Sequence, residues 1–311
     1  VVSRTPHRWR ADLALVAMTF IWGATFVVVK SALENASTFL FLTLRFTLAT
    51  VALGLVFRPL PSRFASGRSI LKGGAIAGSF LFLGYAFQTM GLRHTTPSKS
   101  AFITGLSIVM VPVMAALVQR RAPALREAVG VFVATVGMAF MTLDFHSLEI
   151  AYGDALTLLC AAGFALHILV VGHYAPKTGF SALALVQIAV AAALSGATFW
   201  WIEPVIIRWT PGVVLAVLVT GLLATALAFS VQAWAQQYTT PTRTALIFAL
   251  EPVFAAVTSF LVAGELLSPQ GSAGAALILG GILLVELKPQ PSRGGPVPDM
   301  SSEPADDPKP G

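Results

Sequence analysis

Glu251 and Arg45 are the charged residues of this sequence set deepest inside long apolar runs. If those runs cross a bilayer, each charge costs about 2.5–3.5 kcal/mol at the membrane centre, so each needs a reason to be there. Glu251 falls roughly 16 Å into the run that begins at Pro241, and Pro252 follows it. Such a carboxylate can bind an ammonium group or carry a proton. It can equally be a structural group bonded within a broken helix, or one kept protonated. Arg45 sits about 10 Å from the end of its run, where it can attract a carboxylate, snorkel outward or pair with a residue such as Glu251. For Arg45 the structural role is the favoured expectation.

His167 is the one histidine well inside a run. It can bond a substrate, titrate, or join two helices by a hydrogen bond. Trp22, about 15 Å into the first run, shares a helical face with Thr25 and Phe26. Together they form an aromatic wall suited to an aromatic or apolar side chain, or else an ordinary packing surface. Tyr85 and Gln88 share another face, as do Gln232 and Gln236. Tyr85 joins Trp22, Thr25, Phe26, His167 and Glu251 as an expected binding residue. Gln88, Gln232, Trp234 and Gln236 are expected at gates, with interfacial anchoring as the alternative. Pro112 and Pro252 each free a carbonyl four residues earlier, at Ile108 and Phe248, and are expected bending points.

Other chemistries lack their residues. There is no His-Glu-x-x-His run, no Gly-x-Ser-x-Gly elbow and no Walker motif. Asp12, Asp144 and Asp154 all fall at the ends of runs, so no aspartate pair meets inside one. The single cysteine, Cys160, permits neither an intramolecular disulfide nor a cysteine-rich metal site. No enzymatic activity, cofactor or metal is expected, and nothing demands a partner chain.

The elements that must hold these residues are set by composition. Of the 311 residues, 56% are hydrophobic and 11% charged, against about 25% charged in a soluble domain. So few charges cannot cover so much apolar surface in water, so lipid must be the solvent. Ten segments are long and apolar enough to span: 12–33, 38–57, 70–92, 99–118, 125–143, 154–174, 181–202, 212–238, 241–263 and 269–287. Short connections carrying Pro, Gly or charge separate them. Of the 20 lysines and arginines, fifteen lie at one set of segment ends and four (Lys30, Arg93, Lys99, Arg208) at the other, with Arg45 inside a span. The basic side faces the cytoplasm, so both termini are expected there. That distribution explains the net charge of +6 without nucleic acid. Residues 1–11 read as a cytoplasmic extension before an uncleaved first helix, and 288–311, rich in Pro, Ser and Asp, as a disordered tail.

The second half echoes the first. Thr95-Thr96-Pro97-Ser98-Lys99-Ser100-Ala101 matches Thr239-Thr240-Pro241-Thr242-Arg243-Thr244-Ala245 at an offset of 144. Gln88 and Gln232, Gly130 and Gly274, and Gly137 and Gly281 keep the same offset, while His167 falls opposite Phe26. Five spans per half is an odd number, so the halves (12–148 and 149–287) are expected to enter the membrane in opposite directions. Gly130 and Gly137, like Gly274 and Gly281, are seven apart and suit close helix packing, as do Gly74 and Gly78. The prolines Pro112 and Pro252 follow the matched alanines at different distances, so the two disruptions are expected at different depths.

On these residues the chain resembles the EamA-type drug/metabolite transporters. The likeness is carried by Trp22-Gly23 and, more specifically, by Ala245-Leu246, Leu250-Glu251-Pro252-Val253, Gly264-Glu265, Gln270, Gly274 and Leu277-Ile278-Leu279-Gly280-Gly281. Gln119-Arg120-Arg121 stands where the family often has Gly-Glu, a departure confined to the first half. The resemblance implies a ten-helix carrier of small molecules and looks closest to bacterial exporters of amino acids, including aromatic ones. The expectation is therefore an all-α inner-membrane exporter with two inverted five-helix repeats around a midplane cavity. A sugar, purine or drug-like substrate, or a passive channel, is the alternative.

Overall fold

The computed structural model describes residues 5–57, 67–120, 122–143, 151–263, 266 and 268–286. The expectations placed on Gly264-Glu265, Arg121 and the tail lie outside these residues, as does the side chain of Phe26. Every described element is helical, apart from an antiparallel bridge between Ala36 and Ile207. In chain order the helices are α1 (Thr5–Ala32), α2 (Thr38–Phe57), α3 (Gly67–Arg93), α4 (Pro97–Gly105), α5 (Ser107–Gln119), α6 (Leu125–Thr142), α7 (Tyr152–Thr178) and α8 (Phe180–Thr198). There follow α9 (Pro211–Leu218), a π-helical stretch (Val219–Leu227), α10 (Ala228–Ala235), α11 (Pro241–Phe248), α12 (Glu251–Ala263) and α13 (Pro269–Glu286). Among the described residues, 8 stretches are long and apolar enough to cross a membrane. The protein is a multi-pass membrane protein, and its apolar outer surface fits that solvent: Leu55 is 74% exposed, Leu117 74% and Phe132 68%. Trp200, Trp201 and Trp209, expected at the interface, are exposed in the α8–α9 connection.

α1 starts at Thr5 rather than at residue 12. Arg8 and Arg10 are good helix formers whose long side chains can reach the polar interface, so nothing stops the helix at the edge of the apolar run. Three helices begin at a Thr-Pro pair for one reason. The hydroxyls of Thr96, Thr210 and Thr240 accept hydrogen bonds from the backbone N–H of Lys99, Val213 and Arg243, while the following proline has no N–H to leave unpaired.

Among the described residues the interior forms four apolar clusters, two of them large. One joins α2, α3, α7, α8 and α10 through residues such as Phe46, Leu81 and Ile188; the other joins α1, α6, α11 and α13 through Leu15, Met138 and Ile278. Glycine lets α6 and α13 touch backbone to backbone. A Cβ on Gly130 would meet the Gly281 carbonyl at 2.7 Å, and one on Gly137 the Gly274 carbonyl at 2.6 Å, with the reverse contacts equally close. Because the residue order is reversed between partners, α6 and α13 run antiparallel. Gly74 and Gly78 likewise pack on Val186 and Gln187 of α8.

The helix disruptions differ from expectation. In the second half the break falls at Ala249–Leu250, just before Glu251-Pro252. In the first half it falls at Leu106, and α5 runs on through Pro112. At Leu106 the turn is tightened, its N–H bonding both the Phe102 and Ile103 carbonyls. Leu106 and Leu250 are 144 apart, so the two breaks occupy matching positions, not different depths.

Candidate functional site

Where the two largest apolar clusters meet, a partly open cavity of about 80 Å³ lies beside the breaks in α4–α5 and α11–α12. Trp22, Thr25, Tyr85, His167 and Glu251 all line it. Gln88 and Gln232, expected at gates, line the same cavity. Their depth explains it: each lies about three residues beyond an aromatic of the cavity wall, Tyr85 or Phe229, on the same helical face.

α1 is seated hard against the broken helix. A Cβ on Gly23 would stand 2.7 Å from the Glu251 carbonyl, so only glycine allows this approach. It brings the Trp22 ring against Phe248 (4.8 Å between centroids) and Phe229 (5.4 Å). The Trp22 indole N–H donates to the Ala224 carbonyl at 2.9 Å. The Thr25 hydroxyl is spent on its own helix, donating to the Trp22 carbonyl at 2.8 Å.

Arg45, at 3% exposure, is tied into the cavity wall rather than snorkelled out. Its Nε donates to the Thr225 hydroxyl at 2.6 Å, and its Nη2 donates to the Tyr85 hydroxyl at 2.9 Å and the Ala224 carbonyl at 3.4 Å. Its guanidinium carbon lies 4.2 Å from the Tyr85 ring centroid, within cation–π range. Ala224 and Thr225 belong to the π-helical stretch. Its wider turn presents this carbonyl and hydroxyl sideways to α1 and α2, and such stretches recur at functional sites. Every one of these partners is neutral. No carboxylate pairs with Arg45 among the described residues, and its Nη1 makes no hydrogen bond there.

Glu251 is the opposite case. It is the first residue of α12, half-buried, and lines the cavity with no hydrogen-bond or ion-pair partner among the described residues. Nothing supports its expected alternative as a carboxylate bonded within the broken helix. His167 has a firm structural link, its Nε2 standing 2.9 Å from the Gln187 Oε1, with its ring edge-on to Phe229 at 5.5 Å. It therefore bridges α7 to α8 while still lining the cavity.

Gln236 is buried and outside the cavity lining. It donates to the Ile168 carbonyl at 2.9 Å and accepts from Gln232 at 3.1 Å. Trp234 points elsewhere: it stacks on Tyr238 at 5.5 Å and lines an apolar crevice with Phe57 and Phe180. The bonds of Arg45 fit its expected structural role, and its place in the cavity lining was not read from the sequence, nor were those of Phe164, Phe229 and Phe248. Aromatic residues in an apolar run carry no local mark of which face meets a cavity. The π-helical stretch has no mark either.

The profile of the EamA-like transporter family matches residues 9–143 and again residues 151–287. An uncharacterized transporter of Archaeoglobus fulgidus is 37% identical over 281 residues, covering 90% of this chain and 87% of that protein. The uncharacterized transporter YoaV of Bacillus subtilis is 21% identical over 285 residues, covering 88% of this chain and 95% of that protein. A crystal structure superimposes with a TM-score of 0.72 at 18% identity, covering 90% of this chain and 97% of the other. That last likeness is one of fold.

Proposed function

The chain belongs to the EamA-like transporter family, and on that premise we propose that this membrane transporter is a carrier exporting zwitterionic amino acids, aromatic ones included. The observation that carries the reading is the presence in one cavity of a cation, Arg45, with no carboxylate partner among the described residues and a carboxyl group, Glu251, with no partner there. Leaving two charges in a low-dielectric cavity is costly unless a ligand completes them. An amino acid supplies both complements: its carboxylate to the Arg45 guanidinium, its ammonium to Glu251. Trp22, Phe164, Phe229 and Phe248 then offer aromatic faces to the side chain.

In this reading ten spans form two inverted five-helix repeats, 12–148 and 149–287. The antiparallel, reciprocal contact of Gly130 and Gly137 with Gly281 and Gly274 supports it, because matched helices of inverted repeats meet in that way about a pseudo-two-fold axis. The breaks at Leu106 and Leu250 support it too. The halves rock about the cavity, opening it to each side in turn. The basic-residue distribution supports cytoplasmic termini in the plasma (inner) membrane of a bacterial cell. Trp22, Thr25, Tyr85, His167 and Glu251 serve as binding residues, and Gln88 and Gln232 as polar wall groups.

The test is a counterflow screen in proteoliposomes, with labelled amino acids, sugars and purines, with and without a pH gradient. Saturable counterflow of amino acids is expected. Saturable counterflow of another class removes the substrate assignment, and unsaturable flux removes the carrier.

A further inference from the structure

Two ion pairs bracket the cavity. Arg243 Nη2 stands 3.0 Å from Asp12 Oδ2, and Lys99 Nζ stands 3.9 Å from Asp154 Oδ2. All four side chains are 20% exposed or less. α1 fixes their separation. Asp12 is near its start, and Lys30, near its end, donates to the carbonyls of Leu92 and Thr95. The Thr95 hydroxyl in turn donates to Asp154 at 2.5 Å. The second pair therefore lies at the far end of α1, about 27 Å from the first by helical rise. That is close to one hydrocarbon thickness. Trp22 lies between them, ten residues along α1 from Asp12.

The pairs are counterparts in sequence. Lys99 and Arg243 hold the same place in the two Thr-Thr-Pro motifs, and in each the threonine before the proline caps the lysine or arginine N–H. Asp12 and Asp154 are each the fourth residue of a stretch matched by the family profile, which begin at 9 and 151. Each pair crosses the seam between halves: Asp12 on α1 to Arg243 on α11, and Asp154 on α7 to Lys99 on α4. Rocking that opens one end must separate the elements there, and so break the pair at that end while sparing the other.

We infer that Asp12–Arg243 and Lys99–Asp154 are the two latches of the transport cycle, one closing the cytoplasmic mouth and one the outer mouth. This rests on the carrier reading above. The cytoplasmic latch is the tighter, at 3.0 Å. The outer one is looser because the Asp154 carboxylate is shared with the Thr95 hydroxyl and the Ala151 N–H.

The experiment places a reporter thiol in the cavity, Ser107→Cys with Cys160→Ser, and follows its modification by a charged, impermeant methanethiosulfonate. Right-side-out and inside-out membrane vesicles expose each face in turn. Neutralising Asp12 and Arg243 together (to Asn and Gln) should raise modification from the cytoplasmic face about 3-fold and lower it from the outer face. Neutralising Lys99 and Asp154 should do the reverse, by about 2-fold. The exchange Asp12→Arg with Arg243→Asp, or the milder Arg243→Lys, should return the ratio toward wild type. A thiol reached from both faces in wild type, with no opposite shifts in the variants, overturns the latches alone. Variants that shift both faces alike, or an exchanged protein of wild-type thermal stability with an uncorrected ratio, do the same. A wild-type thiol reached from one face only overturns the carrier reading and the latches with it.

Discussion

Aligned on their matching residues, the two halves offer the same positions to the cavity but different chemistry. The offset of 144 sets Tyr85 against Phe229, Gln88 against Gln232 and Ser107 against Glu251. An offset of 142, that of Asp12 and Asp154, sets Trp22 against Phe164, Thr25 against His167 and Arg45 against Gln187. At this offset His167 falls opposite Thr25, and both line the cavity. The first half carries a cation in the lining where the second has a neutral amide, Gln187, that lies outside the lining and bonds His167. The second carries an anion where the first has a hydroxyl. A symmetric scaffold permits rocking, and departures from symmetry at two positions give the cavity a positive wall and a negative wall. Gating and recognition are then separable: symmetric residues open and close, and asymmetric ones select.

That division can be broken deliberately. The largest effect is expected from Arg45→Gln, which makes the first half resemble the second. It removes the cation and unties Tyr85, Thr225 and the π-helical stretch, so amino-acid counterflow should fall by about 30-fold or more in kcat/KM. Glu251→Gln should cost about 10-fold for amino acids, yet leave counterflow of a carboxylic acid lacking an amine near wild type. Trp22→Ala removes one hydrogen bond and two ring contacts. It should weaken aromatic substrates about 10-fold, with a smaller loss for alanine, read as a shift in KM. The smallest effect is expected from Gln187→Ala. It frees His167 without removing a charge, so transport should fall by no more than about 5-fold while the melting temperature drops by a few degrees.

Much of this was legible in the sequence. Run length and the scarcity of charge revealed the membrane segments, because lipid leaves little else possible. The Thr-Thr-Pro motifs exposed the repeat, and the seven-residue glycine spacing read as close helix packing without naming α6 and α13 as each other's partners. Depth alone identified Trp22 and Glu251. What stayed hidden depends on neighbours distant in sequence. Arg45's neighbours, all neutral, come from α3 and the π-helical stretch, which nothing local announces. Depth along a helix likewise does not say that Gln88 and Gln232 share one cavity. The Leu106 break carries no mark of its own, since Pro112 lies six residues later inside a continuous helix.

The most direct test of the polarised cavity is a three-ligand counterflow comparison in proteoliposomes of the wild-type chain. Phenylalanine, phenethylamine and 3-phenylpropionate share a ring but carry both charges, the ammonium alone or the carboxylate alone. The account predicts that phenylalanine exchanges at least about 10-fold faster than either partial ligand at equal concentration. Equal exchange of all three would contradict it, since the ring alone would then be what the cavity reads.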